Sequence, residues 1–259
     1  MATNFDLAPP PVTVGGITIV PVDIQTIDAR LVFNGAGSTV TGDATIKFIV
    51  GPISGRPMFD LRQPIIAVWL DGASIPVAQI LTRDLGGGVG TEMRVLDTSL
   101  ASGSTHSLRL AYNVALPLSP PSGGYPPALT WTAGPRVAWN GGFTDLAPGR
   151  YLESWVPANL IWDQYVITLD VSVTGTAIAH TLITNGATTT LATNSWRVVF
   201  PDTSCAMSTL LELRASDALT SATTVARCHQ GRTSPWKRGS LPATPSCRSA
   251  RRPHHSAPG

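Results

Sequence analysis

The sequence has few of the residues that form cross-links, metal sites or membrane spans. Its three cysteines, Cys205, Cys228 and Cys247, are odd in number and show neither CxxC nor Cys/His spacing. This argues against a disulfide framework and a zinc ribbon. Charged residues make up 13% of the chain, and no apolar run approaches the ~18 residues of a membrane span. The N-terminus lacks a basic region followed by an apolar stretch, so we expect no secretory signal and a cytoplasmic protein without membrane contacts.

Acidic residues are absent from the last 40 residues, which begin at Thr220. The residues before Thr220 hold all 16 acidic residues and 11 of the 18 basic ones, whereas this tail holds the other seven. The tail also lacks any strand or helix periodicity. We therefore predict one β domain over residues 1–217 and a disordered basic tail over residues 218–259.

Two explanations of the tail are open. It is either a basic arm that attracts nucleic acid or anionic surfaces, or unrelated sequence appended where a longer reading frame was broken. Its mixture of Arg, Ser, Pro, His and Cys favours the second explanation. Nucleic acid is therefore not an expected partner.

Apolar and polar residues alternate along four long stretches of the body. The apolar sets are Ile27, Ala29, Leu31 and Phe33; Val40, Gly42, Ala44, Ile46, Phe48 and Val50; Leu108, Leu110, Tyr112 and Val114; and Tyr165, Ile167, Leu169, Val171 and Val173. A period of two places each set on one face of a strand, against a core. Turn signals such as Asn34-Gly35 and Asn185-Gly186 separate the strands, and no apolar stripe has helical spacing. The pattern predicts an all-β fold, a large curved antiparallel or mixed β-sheet sandwich.

Motifs for hydrolytic chemistry are missing. The sequence contains neither the HExxH of zinc hydrolases nor the GxSxG of serine hydrolases. His106 and His180 lie in strand-like stretches, and Cys205 has no evident His and Asn partners. The glycines at 86–88 precede an alternating stretch rather than a helix, so a hairpin turn is favoured over a phosphate loop. We expect no catalytic residue and no metal ligand in this chain.

One aromatic cluster has the composition of a binding site. Trp131, Trp139, Trp155 and Trp162 lie close together in sequence. Exposed on a β-sandwich, they would form a stacking platform for sugars or peptides, and we name these four as candidate ligand-binding residues. The competing interpretation, that they fill the core beneath the Pro-rich loop at 116–127, is favoured.

Several short stretches follow one another in a characteristic order. They are residues 27–31 (IDARL) with 42–48 (GDATIKF), 59–61 (FDL) with 68–72 (VWLDG), 108–112 (LRLAY), 183–186 (ITNG) and 200–210 (FPDTSCAMSTL). In this order they resemble the strand motifs of the N-terminal domain of the aminopeptidase N family of zinc metallopeptidases. The resemblance covers about residues 20–214. It implies a large curved β domain that covers one side of a zinc site and helps to receive the N-terminal end of a peptide.

The departures from the family concern its chemistry. Its GxMEN strand and HExxH helix belong to the next domain and do not occur in this chain. Residues 140–145 offer no counterpart of the substrate-binding acid or amide, and the Tyr expected after Thr209 is absent. Pro157 and Asp163 are kept, although the spacing around them is not. No catalytic residue is therefore carried over, and zinc is expected only in the family's catalytic domain.

The resemblance leads to a specific expectation about function. The chain is expected to be the non-catalytic substrate-cleft domain of an aminopeptidase N-like enzyme, truncated before the zinc site and inactive alone. Its expected partners are a catalytic metallopeptidase domain or a peptide, and an exposed apolar face would favour self-association. The alternative is an independent β-sandwich module that binds a ligand through the tryptophan cluster.

Overall fold

The computed structural model describes residues 5, 8, 10–85, 93–114, 129–132, 135–142, 152–159, 163–205 and 209–219. The strands in these residues, β1 to β17 in chain order, are Val12–Val14, Ile17–Val20, Val22–Asn34, Thr39–Val50, Arg56–Phe59, Ile65–Leu70, Ala73–Ile75, Ile80–Arg83, Met93–Leu96, Thr105–Asn113, Leu129–Thr132, Arg136–Gly142, Val166–Thr174, His180–Thr184, Ala187–Ala192, Ser195–Phe200 and Leu210–Ala215. Three 3₁₀ turns lie at Val77–Gln79, Leu152–Ser154 and Ser216–Ala218. The described residues contain no α-helix, and hence no helix long and apolar enough to cross a bilayer.

An eight-stranded sheet forms the centre of the fold, in the order β15-β16-β13-β3-β4-β10-β6-β7. Its central strands are the four stretches whose alternation predicted strands. All neighbours are antiparallel except β3 and β13, which run parallel. The sheet is therefore mixed, and the predicted all-β class is confirmed.

The inner face of this sheet carries the core. Every residue of the four predicted apolar sets is buried there. Two smaller sheets complete the fold: a five-stranded sheet in the order β1-β2-β5-β9-β8 and a four-stranded sheet in the order β11-β12-β17-β14. Because buried residues of the four-stranded sheet, such as Val137 and Leu213, join the same apolar cluster, one core connects both sheets.

The outer face of the eight-stranded sheet is polar. The guanidinium of Arg109 donates to both oxygens of Asp43 at 2.9 and 2.6 Å, and Arg197 donates to Asp170 at 2.7 and 2.8 Å. The arginine and aspartate side chains of these pairs are all more than a third exposed. Such pairs contribute little to stability, so burial on the inner face dominates the energetics of the sheet.

The internal contacts divide the chain into two units, residues 1–219 and residues 220–259. The second unit lies outside the described residues, as does the predicted hairpin turn at 86–88. The predicted boundary at residue 217 and the predicted disorder of the basic tail therefore stay predictions.

Candidate functional site

One short buried segment, residues 152–159, is held by polar contacts to Tyr112 of β10 and to residues 60 and 63, which follow β5. Ala158 and Asp60 exchange two backbone hydrogen bonds of 2.9 Å. The side-chain amide of Gln63 donates to the carbonyl of Ser154 at 2.5 Å, and the buried Tyr112 hydroxyl donates to the carbonyl of Trp155 at 2.8 Å. A segment without strand partners must satisfy its buried carbonyls in this way. The result is a segment with a fixed backbone inside the fold.

Two buried carboxyl groups meet where this segment joins the sheet. Asp23, at the start of β3, is 2% exposed, and Asp163, which precedes β13, is 1% exposed. Asp163 accepts hydrogen bonds from the Ile24 N–H at 2.8 Å, from the Asn159 amide at 2.9 Å and from the Gln164 N–H at 2.9 Å. Asn159 also donates to the carbonyl of Val22. This carboxyl pair and Asn159 connect Asp163 to the start of β3.

The two carboxyls share a hydrogen bond, which requires that they hold one proton between them. Burial raises the pKa of Asp163 to about 7, against the lowering effect of its hydrogen bonds from Asn159 and Ile24, and the neighbouring Asp23 adds to the rise. Three N–H groups already donate to Asp163, which favours Asp23 as the carrier of the shared proton, so the raised pKa belongs to the pair and not to Asp163 alone. Asp23 in turn accepts from the Gln25 side-chain amide at 2.5 Å. The pair titrates as a unit.

The four candidate tryptophans do not form a common exposed surface in the part of the chain that the structure describes. Trp139 and Trp155 are each 1% exposed and pack edge to face with ring centroids 5.8 Å apart. Phe33 contacts Trp139 in the same manner. Trp131 is half-buried against the core, and Trp162 lies outside the described residues. Trp139 and Trp155 thus fill the core, and the ligand-binding assignment of the four stays a prediction.

A Ser-His-Asp arrangement occurs at the edge of the sheet, which the sequence analysis did not identify. His106 lies 2.8 Å from the Ser104 hydroxyl through Nε2 and 2.7 Å from the Asp71 carboxylate through Nδ1. The Ser104 hydroxyl directs its single proton to the carbonyl of Ala101 at 2.5 Å, a shorter contact than the 2.8 Å to His106 Nε2, so the proton is not placed for transfer to the histidine. Nucleophilic activation needs that transfer. The arrangement instead holds the turn at Asp71 to the start of β10.

We expect Asp71→Asn to lower the free energy of unfolding by about 1 kcal/mol, because it removes a partly exposed charge-assisted hydrogen bond. Burial acts to raise the pKa of Asp71, but hydrogen bonds from His106 and the Ser107 N–H hold it below its usual range. The stabilisation is therefore present above the unfolded-state pKa of 3.8 and is lost as the pH falls through the lower folded-state pKa. Asn tolerates the positive φ of 50° at this position. Urea denaturation at neutral and acidic pH measures the effect, and equal losses at both would contradict it.

The histidines of the described residues are not available as metal ligands. The Nε2 atom of His180 accepts the Val137 N–H at 3.2 Å, and its Nδ1–H donates to the carbonyl of Ile178 at 3.0 Å. Burial lowers the pKa of His180, in agreement with a neutral ring. Both nitrogens of His106 are also engaged. The described residues contain no group of three His, Cys, Asp or Glu side chains placed to hold a metal, so they do not fit a zinc site.

The fold is similar to that of solved zinc metallopeptidases. A variant of the M1 zinc metallopeptidase from Deinococcus radiodurans, bound to a Tyr-Ser-Ala substrate, aligns with a TM-score of 0.50 and 20% identity over 74% of this chain and 42% of the metallopeptidase. Native yeast LTA4 hydrolase aligns with a TM-score of 0.51 and 15% identity over 74% of this chain and 28% of that enzyme. No protein-family model and no curated protein matches the sequence. The chain thus spans less than half of the length of these enzymes and has the fold of their β-rich part.

Proposed function

We propose that this chain is a non-catalytic β domain that forms one wall of the peptide cleft of an M1-type zinc metallopeptidase. The observation that carries the proposal is the fold match, in which most of this chain aligns with less than half of a metallopeptidase that holds a peptide. The strand motifs at residues 27–48, 108–112 and 183–186 support the N-terminal domain as the matching part. In this role the domain shapes the cleft, and a separate domain supplies the zinc.

The buried segment at residues 152–159 is compatible with this role from inside the fold. Its backbone is fixed by hydrogen bonds to Asp60, Gln63 and Tyr112. A core fixed in this way keeps the surfaces built on it preorganised, and ordering such a surface during binding would cost affinity. The chemical step belongs to the partner, since neither the HExxH motif nor a metal-ligating cluster of the described residues supplies a nucleophile here.

Peptidase assays on the purified chain test the proposal. With amino-acid p-nitroanilides as substrates, we expect no turnover above background in zinc or in EDTA. Hydrolysis that requires zinc and disappears in EDTA would overturn the non-catalytic assignment. A second measurement tests the partner: a chain that carries HExxH, identified by mass spectrometry after co-purification, should hydrolyse peptides faster with this domain than without it. Equal rates would contradict the cleft-wall role.

A further inference from the structure

A strand edge that has no partner strand among the described residues borders an open groove. The groove has a volume of about 510 Å³ and is lined by all five residues of β14, His180–Thr184. Side chains of a strand alternate between its two faces, so a consecutive run along a groove shows that the backbone edge faces it. β14 is the last strand of the four-stranded sheet and, in the part of the chain that the structure describes, pairs only with β17.

The backbone groups of β14 are oriented into this groove. The N–H of His180 points away from β17 and donates to the Asn194 side chain at 2.7 Å. In an antiparallel pair this orientation repeats at every second residue. The N–H and C=O groups of Leu182 therefore also point away from β17. They present the donor and acceptor pattern that a further strand requires.

The opposite wall comes from the next strand in the chain. β14 and β15 are joined through the predicted Asn185-Gly186 turn, but they diverge, and β15 pairs with β16 instead of β14. Thr188 and Thr190 of β15 line the groove together with Trp196 of β16. Two sheet edges thus flank an opening that their shared turn leaves between them.

The groove carries no net charge among its described lining residues. Threonine hydroxyls and the largely buried Trp196 dominate its surface, and His180 is held neutral by its two hydrogen bonds. A charged occupant would lose its hydration here without gaining a counter-ion. An uncharged peptide has no charged group whose hydration would be lost in the groove. The lining therefore favours uncharged side chains next to β14.

We propose that this groove binds an extended, uncharged peptide segment with small or β-branched side chains, which adds to β14 as a fifth strand of the four-stranded sheet. Backbone hydrogen bonds to Leu182 supply the pairing, and the side chains that alternate towards β15 contact Thr188 and Thr190. This mode of recognition is β-strand addition. It is independent of the zinc partner and of the peptide cleft proposed above.

The test uses a fluorescein-labelled heptapeptide of alternating threonine and valine, titrated against the full chain by fluorescence anisotropy. We expect saturable binding to the wild type. A peptide with N-methyl groups at alternate residues should bind at least about tenfold more weakly, because it cannot donate along one edge. Thr190→Glu places a charge in the groove and should weaken binding by a similar factor. Thr189→Glu is the matched control, since Thr189 lies on the other face of β15 opposite Arg197.

Each outcome bears on the proposal. Binding that both the N-methylated peptide and Thr190→Glu weaken, and that Thr189→Glu leaves unchanged, supports it. Equal binding of the two peptides, equal effects of the two substitutions, or no saturable binding by protein with a wild-type circular dichroism spectrum overturns it. Self-association that Thr190→Glu abolishes, without peptide binding, would assign the groove to a second copy and also overturn it.

Discussion

Replacing Asp23 with Asn is expected to remove a loss of stability that the wild-type protein shows as the pH rises from about 5 to about 8. The amide of Asn keeps the geometry of the carboxyl pair. Its NH₂ donates to Asp163 in place of the shared proton, and its carbonyl oxygen accepts from Gln25. The variant therefore holds Asp163 against β3 at every pH, because it has no shared proton to lose.

The sign of the effect follows from the direction of the pKa shift. The folded-state pKa of Asp163 is raised from 3.8 to about 7, so the folded protein binds the shared proton more tightly than the unfolded chain does. The associated stability is complete below the unfolded-state value and is lost as the pH rises through about 7. At 1.36 kcal/mol per pKa unit the loss amounts to at most about 4 kcal/mol.

The position of the shared proton predicts a difference between the two possible substitutions. Asp163 accepts N–H donors on both of its oxygens, from Ile24 and Asn159 on one and from Gln164 on the other. Either orientation of Asn at this position turns its NH₂ towards an N–H group. Asp163→Asn should therefore lower the free energy of unfolding by about 1–3 kcal/mol or more at all pH values.

Urea denaturation followed by tryptophan fluorescence, at intervals between about pH 5 and 8, measures both effects. His180 contributes in the opposite direction, because burial lowers its pKa and the unfolded chain takes up a proton below the usual histidine pKa of 6.5. The informative quantity is therefore the difference between Asp23→Asn and the wild type. A difference that does not change with pH, or similar effects of the two substitutions, would contradict the shared proton.

The sequence allows the strands of the central sheet to be predicted because each of them buries one face completely. Alternation over residues 40–50 and 165–173 places the predicted apolar set of each stretch inward, and the structure confirms it. Asn185-Gly186 separates two strands as predicted, but as a bend between β14 and β15, which do not pair with each other. Local pattern suffices in these cases, since a shift of one residue would expose a whole apolar set.

The pairing of the strands does not follow from local pattern. β3 runs parallel to β13, whose residues lie more than a hundred positions later, and nothing in either stretch specifies this neighbour. Turn chemistry specifies sequential neighbours only. The divergence of β14 and β15 after the bend at Asn185-Gly186 shows the same limit, because β14 pairs with β17 and β15 pairs with β16.

The carboxyl pair escapes sequence analysis for a related reason. A register irregularity between Ile24 and Thr26 changes the alternation at the start of β3, and Asp23 is buried although its position resembles a solvated strand end. Bulges of this kind re-aim side chains without a reliable signal in a single sequence. The tryptophans give a sequence signal that is visible but ambiguous. Their clustering along the chain does not distinguish side chains that fill the core from side chains that form an exposed stacking platform.

Replacing Gly42 with Ala is expected to cause a large loss of stability, about 3–5 kcal/mol, through the ring of Tyr112. Gly42 and Tyr112 face each other across β4 and β10. A methyl group at residue 42 would lie 2.2 Å from two ring carbons of Tyr112, which is too close for any contact between them. The ring is fully buried and its hydroxyl donates to the carbonyl of Trp155. It cannot move without breaking that bond.

The expected cost therefore depends on the ring and not on glycine as such. Tyr112→Phe keeps the ring and removes only the hydrogen bond, so it should cost about 1–3 kcal/mol and leave the Gly42→Ala cost largely intact. Tyr112→Leu removes the ring atoms that would clash with a methyl group at residue 42. Gly42→Ala should therefore cost much less stability in that background. The expected coupling energy between the two substitutions is about 3 kcal/mol, near the upper end of the values for residues in contact. Chemical denaturation of the single and double variants gives this cycle. If Gly42→Ala costs as much in the Tyr112→Leu background as in the wild type, the close approach of the Tyr112 ring to Gly42 does not limit stability. The anchoring of residues 152–159 then does not depend on that close approach either.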